Sequence, residues 1–168
     1  MVTIQDGWQG RFFEDFAVGD VYRCRYGRTV TEADNIQFTL LTNNTNQIHF
    51  NRDYGERTEW GRCLVNSALT LSIVAGMSVP DVSENGFALG WERIELPNPV
   101  FPGDTLYSES EVLEKRESRS RPTQGIIRIE TRGYKQDGQL VIRYVRSVMV
   151  WKRAFAPSRD IFPVGRPG

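Results

Sequence analysis

The stretch "LVNSALTLSIVAGMSV", Leu64 to Val79, is the feature that most limits how this chain folds. It is sixteen residues long, largely apolar, and interrupted by Asn66, Ser67, Thr70, Ser72 and Ser78. A segment so short and so polar does not cross a bilayer, and it reads as a buried helix of a soluble protein. The second half of the chain is different in kind. From Ala88 to Arg153 apolar and polar residues alternate over long runs, with turn signals between them. Leu106, Ser108, Ser110 and Val112 would share one face; Ile127, Ile129 and Thr131 another; Val141, Arg143 and Val145 another. Asp137 and Gly138, between two such runs, are a strong hairpin signal. A single helix followed by about four antiparallel strands covers itself only if the sheet curls around the helix. The expected class is therefore α+β, an antiparallel sheet wrapped around a long central helix.

Upstream, Gly19 and Asp20 predict a turn leading into an extended segment from Val21 to Val30. Thr31 then reads as the N-cap of a short helix with Glu32 and Asp34 in its first turn, where negative charge suits the helix dipole. Ala33, Ile36 and Leu40 give that helix an apolar face. With 168 residues the chain fits one domain, expected over residues 1–153. The remainder, 154–168, is rich in proline without alternation and reads as a surface arm or an unstructured tail.

Lys plus Arg and Asp plus Glu both total 21, so no net field favours nucleic acid or an anionic membrane, and any anion site has to be local. Cys24 and Cys63 are too few for a disulfide scaffold and form no C-x-x-C pair, which points to a reduced, cytoplasmic compartment. One histidine and two separated cysteines give no metal-ligand spacing, so no metal is expected. The first thirty residues carry no secretory pattern.

The stretch "LTNNTNQIHFN", residues 41–51, concentrates four asparagines and the only histidine of the chain. Asparagine competes for backbone hydrogen bonds and favours caps and turns, so a polar loop is one reading. Histidine titrates near neutrality, so the same loop suits a general base, His49.

At this point motifs add to topology. "TVTEADNIQFTLLTNNTNQIHFNRDYGERTEWGRCLVNSALT" and "ELPNPVFPGDTLYSESEVLEKRE" resemble the MaoC-like family of (R)-specific enoyl-CoA hydratases, over roughly residues 12–153. With "LVNSALTLSIVAGMSVP", "LGWERIELPNPVFPGD" and "ESRSRPTQGI", the chain is most similar to the mesaconyl-CoA hydratase, or beta-methylmalyl-CoA dehydratase, branch. The resemblance implies the hotdog fold, a hydro-lyase acting at Cβ of a short, branched enoyl-CoA, and a homodimer or higher homo-oligomer whose sites are completed by two chains. Coenzyme A would enter as part of the substrate, with no separate cofactor.

It also implies site residues. His49 stands at the catalytic histidine and Asn46 at the motif asparagine, while Asn44 occupies the place of the family's catalytic aspartate, a departure that the mesaconyl-CoA branch shares. Asn66 and Ser67 match the pair at the start of the buried helix, where the backbone amide of Ser67 would stabilise the thioester oxyanion. His49 would activate water and return the proton; Asn44, which takes no proton, would position that water. Arg119 and Arg121 in "EKRESRSRP" are candidates for coenzyme A phosphates, and Arg62, with Arg28, for a carboxylate at the acyl end. Two other readings stay open. A degenerate subunit would bind acyl-CoA without turnover, with Asn44 as its mark. A hotdog thioesterase would need a carboxylate on the long helix, and 64–79 has none.

Overall fold

The computed structural model describes Thr3, Gln5 and residues 7–158. The proline-rich tail therefore lies mostly outside the described residues. Six strands form one antiparallel sheet: β1 (Val21–Arg23), β2 (Arg28–Thr29), β3 (Gly86–Glu95), β4 (Thr105–Glu117), β5 (Gln124–Lys135) and β6 (Leu140–Trp151). Their spatial order is β1-β4-β5-β6-β3, with β2 also on β4. Three helices complete the fold, α1 (Glu32–Leu41), α2 (Arg52–Glu56) and the long α3 (Ser67–Val82), which packs against β4 and β5.

The sheet closes on α3 through the residues that alternation marked. Leu106, Ser108, Ser110 and Val112 are all buried, as are Ile127, Ile129 and Thr131. α3 lies so close that a Cβ on Gly133 would come within 2.7 Å of Val74 and Ile142 side chains, which is why β5 carries a glycine there. The hairpin at Asp137–Gly138 is present, with Gly138 at φ 83° and its N–H on the Lys135 carbonyl.

Four expectations need correction. β6 sends Ile142, Tyr144 and Val148 into the core, whereas Arg143, from the expected face, is exposed and pairs with Glu95 at 2.6 Å. The segment 21–30 is two short strands, broken between Cys24 and Gly27. The long helix starts at Ser67 because Leu64 and Val65 are held extended, their N–H groups donating to the Ile48 and Val100 carbonyls. It then runs on through Pro80 to Val82, so it does contain one acid, Asp81, bound to Arg11 at 2.6 Å in the last turn.

The fourth concerns α1. Its Thr31 cap is as expected, closed reciprocally with Asp34. Its buried face is not the apolar one: Leu40 is 56% exposed, while Asn35 and Thr39, one turn apart, are 0% exposed. α1 packs on a seam of backbone polar groups, and only side chains that can hydrogen-bond satisfy such a seam.

Candidate active site

Asn35 organises the seam. Its amide nitrogen donates to the carbonyls of His49 (2.7 Å) and Leu64 (2.8 Å), and its oxygen accepts the Asn66 N–H at 2.8 Å. Thr39 adds two contacts, accepting the Asn44 N–H on its carbonyl (3.0 Å) and the Asn66 amide on its hydroxyl (3.3 Å). One face of α1 thus fixes the Asn-rich loop to the start of α3. Sequence reasoning missed both residues; their polar i, i+4 spacing was the available signal.

The loop shapes itself through its own asparagines. Asn44 Oδ1 accepts the Asn46 N–H at 3.0 Å, and Asn46 Oδ1 caps the 3-10 turn Gln47–His49 through the Ile48 N–H at 3.2 Å. Asn51 caps α2 in the same way. Asn44 Nδ2 hydrogen-bonds nothing among the described residues. These caps deliver His49, half-buried, with Nδ1 3.0 Å from the Leu64 carbonyl. A carbonyl only accepts, so Nδ1 carries the proton and Nε2 of the neutral ring presents its lone pair.

Leu64 stands three residues before Ser67, so the pinned ring lies at the N-terminal end of α3. Asn66 caps that end, its Oδ1 accepting the Ala68 N–H at 2.9 Å. Buried and with both amide atoms engaged, the Asn66 side chain serves α3, and its assignment to substrate binding gives way to capping. The Ser67 N–H, at the first helical position, has no acceptor among the described residues and points along the positive end of the helix dipole.

Of the expected cations, only Arg62, two residues before Leu64, stands close to this end of α3 in sequence. Arg62 is exposed and stacks on Phe101, its guanidinium 3.7 Å from the ring centre. Arg28 pairs with Asp34 at 2.8 Å. Arg119 and Arg121 occupy the turn between β4 and β5, and Arg121 lies over Phe87 of β3 at 5.6 Å. That turn adjoins the C-terminal end of α3, where Trp151 donates to the Asn85 carbonyl, so within one chain both arginines lie at the opposite end of α3 from His49. A cavity of about 260 Å³ lined by Trp8, Arg11, Cys24, Tyr26, Met77 and Pro80 is also at the far end.

One cation had no sequence signal at all. Arg146 on β6 is 4% exposed beneath α3. Its Nη2 donates to Ser78 Oγ at 2.8 Å, Nε lacks an acceptor, and no carboxylate among the described residues pairs with it. Burial holds its pKa below the usual arginine value. Trp91 of β3 covers it, with the guanidinium 5.4 Å from the ring centre and the buried Tyr144 ring 4.8 Å further in.

Known proteins place this arrangement. The sequence profile of the mesaconyl-CoA hydratase family matches residues 4–159. A mesaconyl-CoA hydratase from Cereibacter sphaeroides is 34% identical over 145 residues, 86% of this chain and 42% of that protein. Among solved structures, a MaoC domain protein from Chloroflexus aurantiacus superposes with a TM-score of 0.84 and 30% identity over 98% of this chain and 47% of its own. A conserved hypothetical protein from Mycobacterium tuberculosis with a double hotdog fold gives a TM-score of 0.79 at 20% identity, over 95% of this chain and 47% of its own, which speaks for the fold alone. The chain thus spans less than half the length of these relatives.

Proposed function

The chain belongs to the mesaconyl-CoA hydratase family, and on that footing we propose that it is a hydro-lyase, adding water to or removing it from the Cα–Cβ bond of a short, branched enoyl-CoA. The observation that carries this reading is the His49 ring pinned through Nδ1 to the Leu64 carbonyl, beside the unpaired Ser67 N–H. In the hydration direction, Nε2 takes a proton from water as its oxygen bonds to Cβ. The electron pair of the double bond moves toward the thioester oxygen, whose charge the Ser67 N–H receives. The imidazolium then returns the proton to Cα. Asn44, through its free Nδ2 and remaining oxygen lone pair, holds the water without competing for the proton.

A homodimer completes the site in this reading. Among the described residues β3 is an edge strand paired only to β6, and Phe87, Leu89, Trp91 and Ile94 along it, with Leu96 just past its end, are all exposed. An apolar open edge of this length invites pairing. Relatives about twice as long, one with a double hotdog fold, support a partner of the same architecture. A two-fold axis through this edge, perpendicular to the sheet, sets the two α3 helices antiparallel. Arg119 and Arg121 of one copy then approach the His49 end of the other, where coenzyme A phosphates would lie. Cys24 and Cys63, unpaired, suit a reduced, cytoplasmic setting.

The test is loss of the conjugated thioester absorbance with mesaconyl-CoA, crotonyl-CoA and a longer enoyl-CoA, for wild type and His49→Ala. Turnover of mesaconyl-CoA falling about 100-fold or more in the variant is expected of a lost general base. A folded wild type that binds coenzyme A thioesters and turns over none of them overturns the proposal in favour of a non-catalytic acyl-CoA-binding subunit.

A further inference from the structure

Arg146 poses a physical problem in a single chain. A guanidinium removed from water is costly unless an anion accompanies it, and here its acceptors are one serine hydroxyl and the face of Trp91. The same interior holds the buried Tyr144 ring, and the Arg146 Nε is left without an acceptor among the described residues. A buried guanidinium with an open Nε donor under one helix describes a place prepared for an acceptor.

Geometry says which site that acceptor belongs to. Along α3, Ser78 lies eleven residues from Ser67, about 16 Å at the helical rise. A four-carbon acyl group spans only about 6 Å from thioester oxygen to a carboxylate on Cβ, by standard bond lengths. Arg146 therefore does not serve the His49 site of its own chain. The exposed face of α3 carries Ala68, Ser72 and Gly76, small residues at four-residue spacing that let a second helix approach closely. For antiparallel copies meeting at the centre of that stripe, Ser72, a residue six places after the centre stands level with one six places before it. Ser78 of one copy is then level with Asn66 of the other, next to Ser67. Arg146 sits one strand in from the β3 edge on which the copies pair, so it lies on the facing side.

We propose that Arg146 of one copy, with Ser78, is the specificity-determining group that holds a carboxylate on Cβ of the acyl substrate bound at His49 of the other copy. Arg146 thereby selects dicarboxylic over monocarboxylic enoyl-CoA substrates. The guanidinium offers Nε and a terminal nitrogen for two parallel bonds to a carboxylate. The role replaces the one expected of Arg62 and Arg28, both of which already have partners. It rests on the hydro-lyase reading for the site, though the binding arm of its test does not.

The experiment has two arms. In the first, kcat/KM is compared for mesaconyl-CoA, which carries the carboxylate, and crotonyl-CoA, which lacks it, in wild type, Arg146→Gln and Arg146→Lys. Arg146→Gln should lower the mesaconyl-CoA value about 100-fold, the scale of a lost charge-assisted pair, and leave crotonyl-CoA within about threefold. Arg146→Lys should fall between. In the second, calorimetry measures binding of the unreactive pair succinyl-CoA and butyryl-CoA to wild type and to Arg146→Gln, and the wild-type preference is read without any variant. A preference for succinyl-CoA of about tenfold or more is expected, lost in Arg146→Gln. Equal losses on both enoyl-CoAs, or no succinyl-CoA preference in wild type, overturn the proposal. If wild type hydrates neither enoyl-CoA, the hydro-lyase reading fails by itself, and the succinyl-CoA preference still decides the role of Arg146.

Discussion

Asn35 holds His49 without touching its ring. The Asn35 amide donates to the His49 backbone carbonyl at 2.7 Å and to the Leu64 carbonyl at 2.8 Å, and the Leu64 carbonyl is the group that orients the His49 imidazole. One side chain thus sets both the loop that carries the base and the acceptor that selects its tautomer. Removing it leaves the His49 carbonyl and the Asn66 N–H without their partner and the Leu64 carbonyl with the His49 ring alone.

Asn35→Leu should therefore cost about 3 kcal/mol of stability, the scale of several buried groups left unpaired. Urea unfolding measures it. At a temperature where the variant is folded, kcat should fall more than substrate binding weakens, since the positions of the reacting groups are lost. An unchanged kcat in a folded variant would dissociate the clamp from catalysis.

Asn44 has two separable jobs. Its Oδ1 closes the turn on the Asn46 N–H, and its Nδ2 is free. Asn44→Asp keeps the acceptor and should preserve stability, whereas Asn44→Ala loses the turn and should destabilise by about 1 kcal/mol. Both should lower kcat at neutral pH, because neither retains the amide donor. Full activity in Asn44→Ala would remove this residue from the site.

Asp34 gives a pH signature. Bonds from the Thr31 hydroxyl and backbone N–H, and then from Arg28, hold its carboxyl below the usual aspartate value. With the folded pKa lowered, the stabilisation is complete above the unfolded value and disappears as pH falls through the folded one. Thermal melts of wild type and Asp34→Asn should differ by a constant amount between about pH 5 and 7, and the gap should begin to close as pH falls below about 4. A gap that does not narrow at all as pH falls from about 5 to about 2 contradicts the assignment.

The β3 edge is the expected subunit contact. Leu89→Lys, an exposed site on that strand, should shift the mass in light scattering from dimer to monomer, with little loss of secondary structure. Activity should fall with the dimer if, as proposed, each site draws on two copies. A monomer with full activity would show that one chain suffices.

Local periodicity carried much of the fold. The alternation of β4 and β5, the Asp137–Gly138 hairpin, the Thr31 cap and the presence of one long apolar helix were all legible, because each depends on residues a few positions apart. Where packing overrode local pattern, the reading failed. α1 buries Asn35 and Thr39 instead of its apolar side, and α3 begins only where Val65 stops pairing with Val100.

By itself the sequence determined an α+β chain, its family, and His49 as the base candidate, since these rest on residue identity and short spacing. Tertiary structure alone decided that His49 is pinned by Leu64, that Asn66 caps α3, that Arg119 and Arg121 lie at the other end of α3, and that Arg146 is buried without a counter-ion among the described residues. The physical reason is separation along the chain. Arg146 meets Ser78 across 68 residues and Asn35 meets Asn66 across 31, and no periodicity encodes which distant polar group a buried side chain will find.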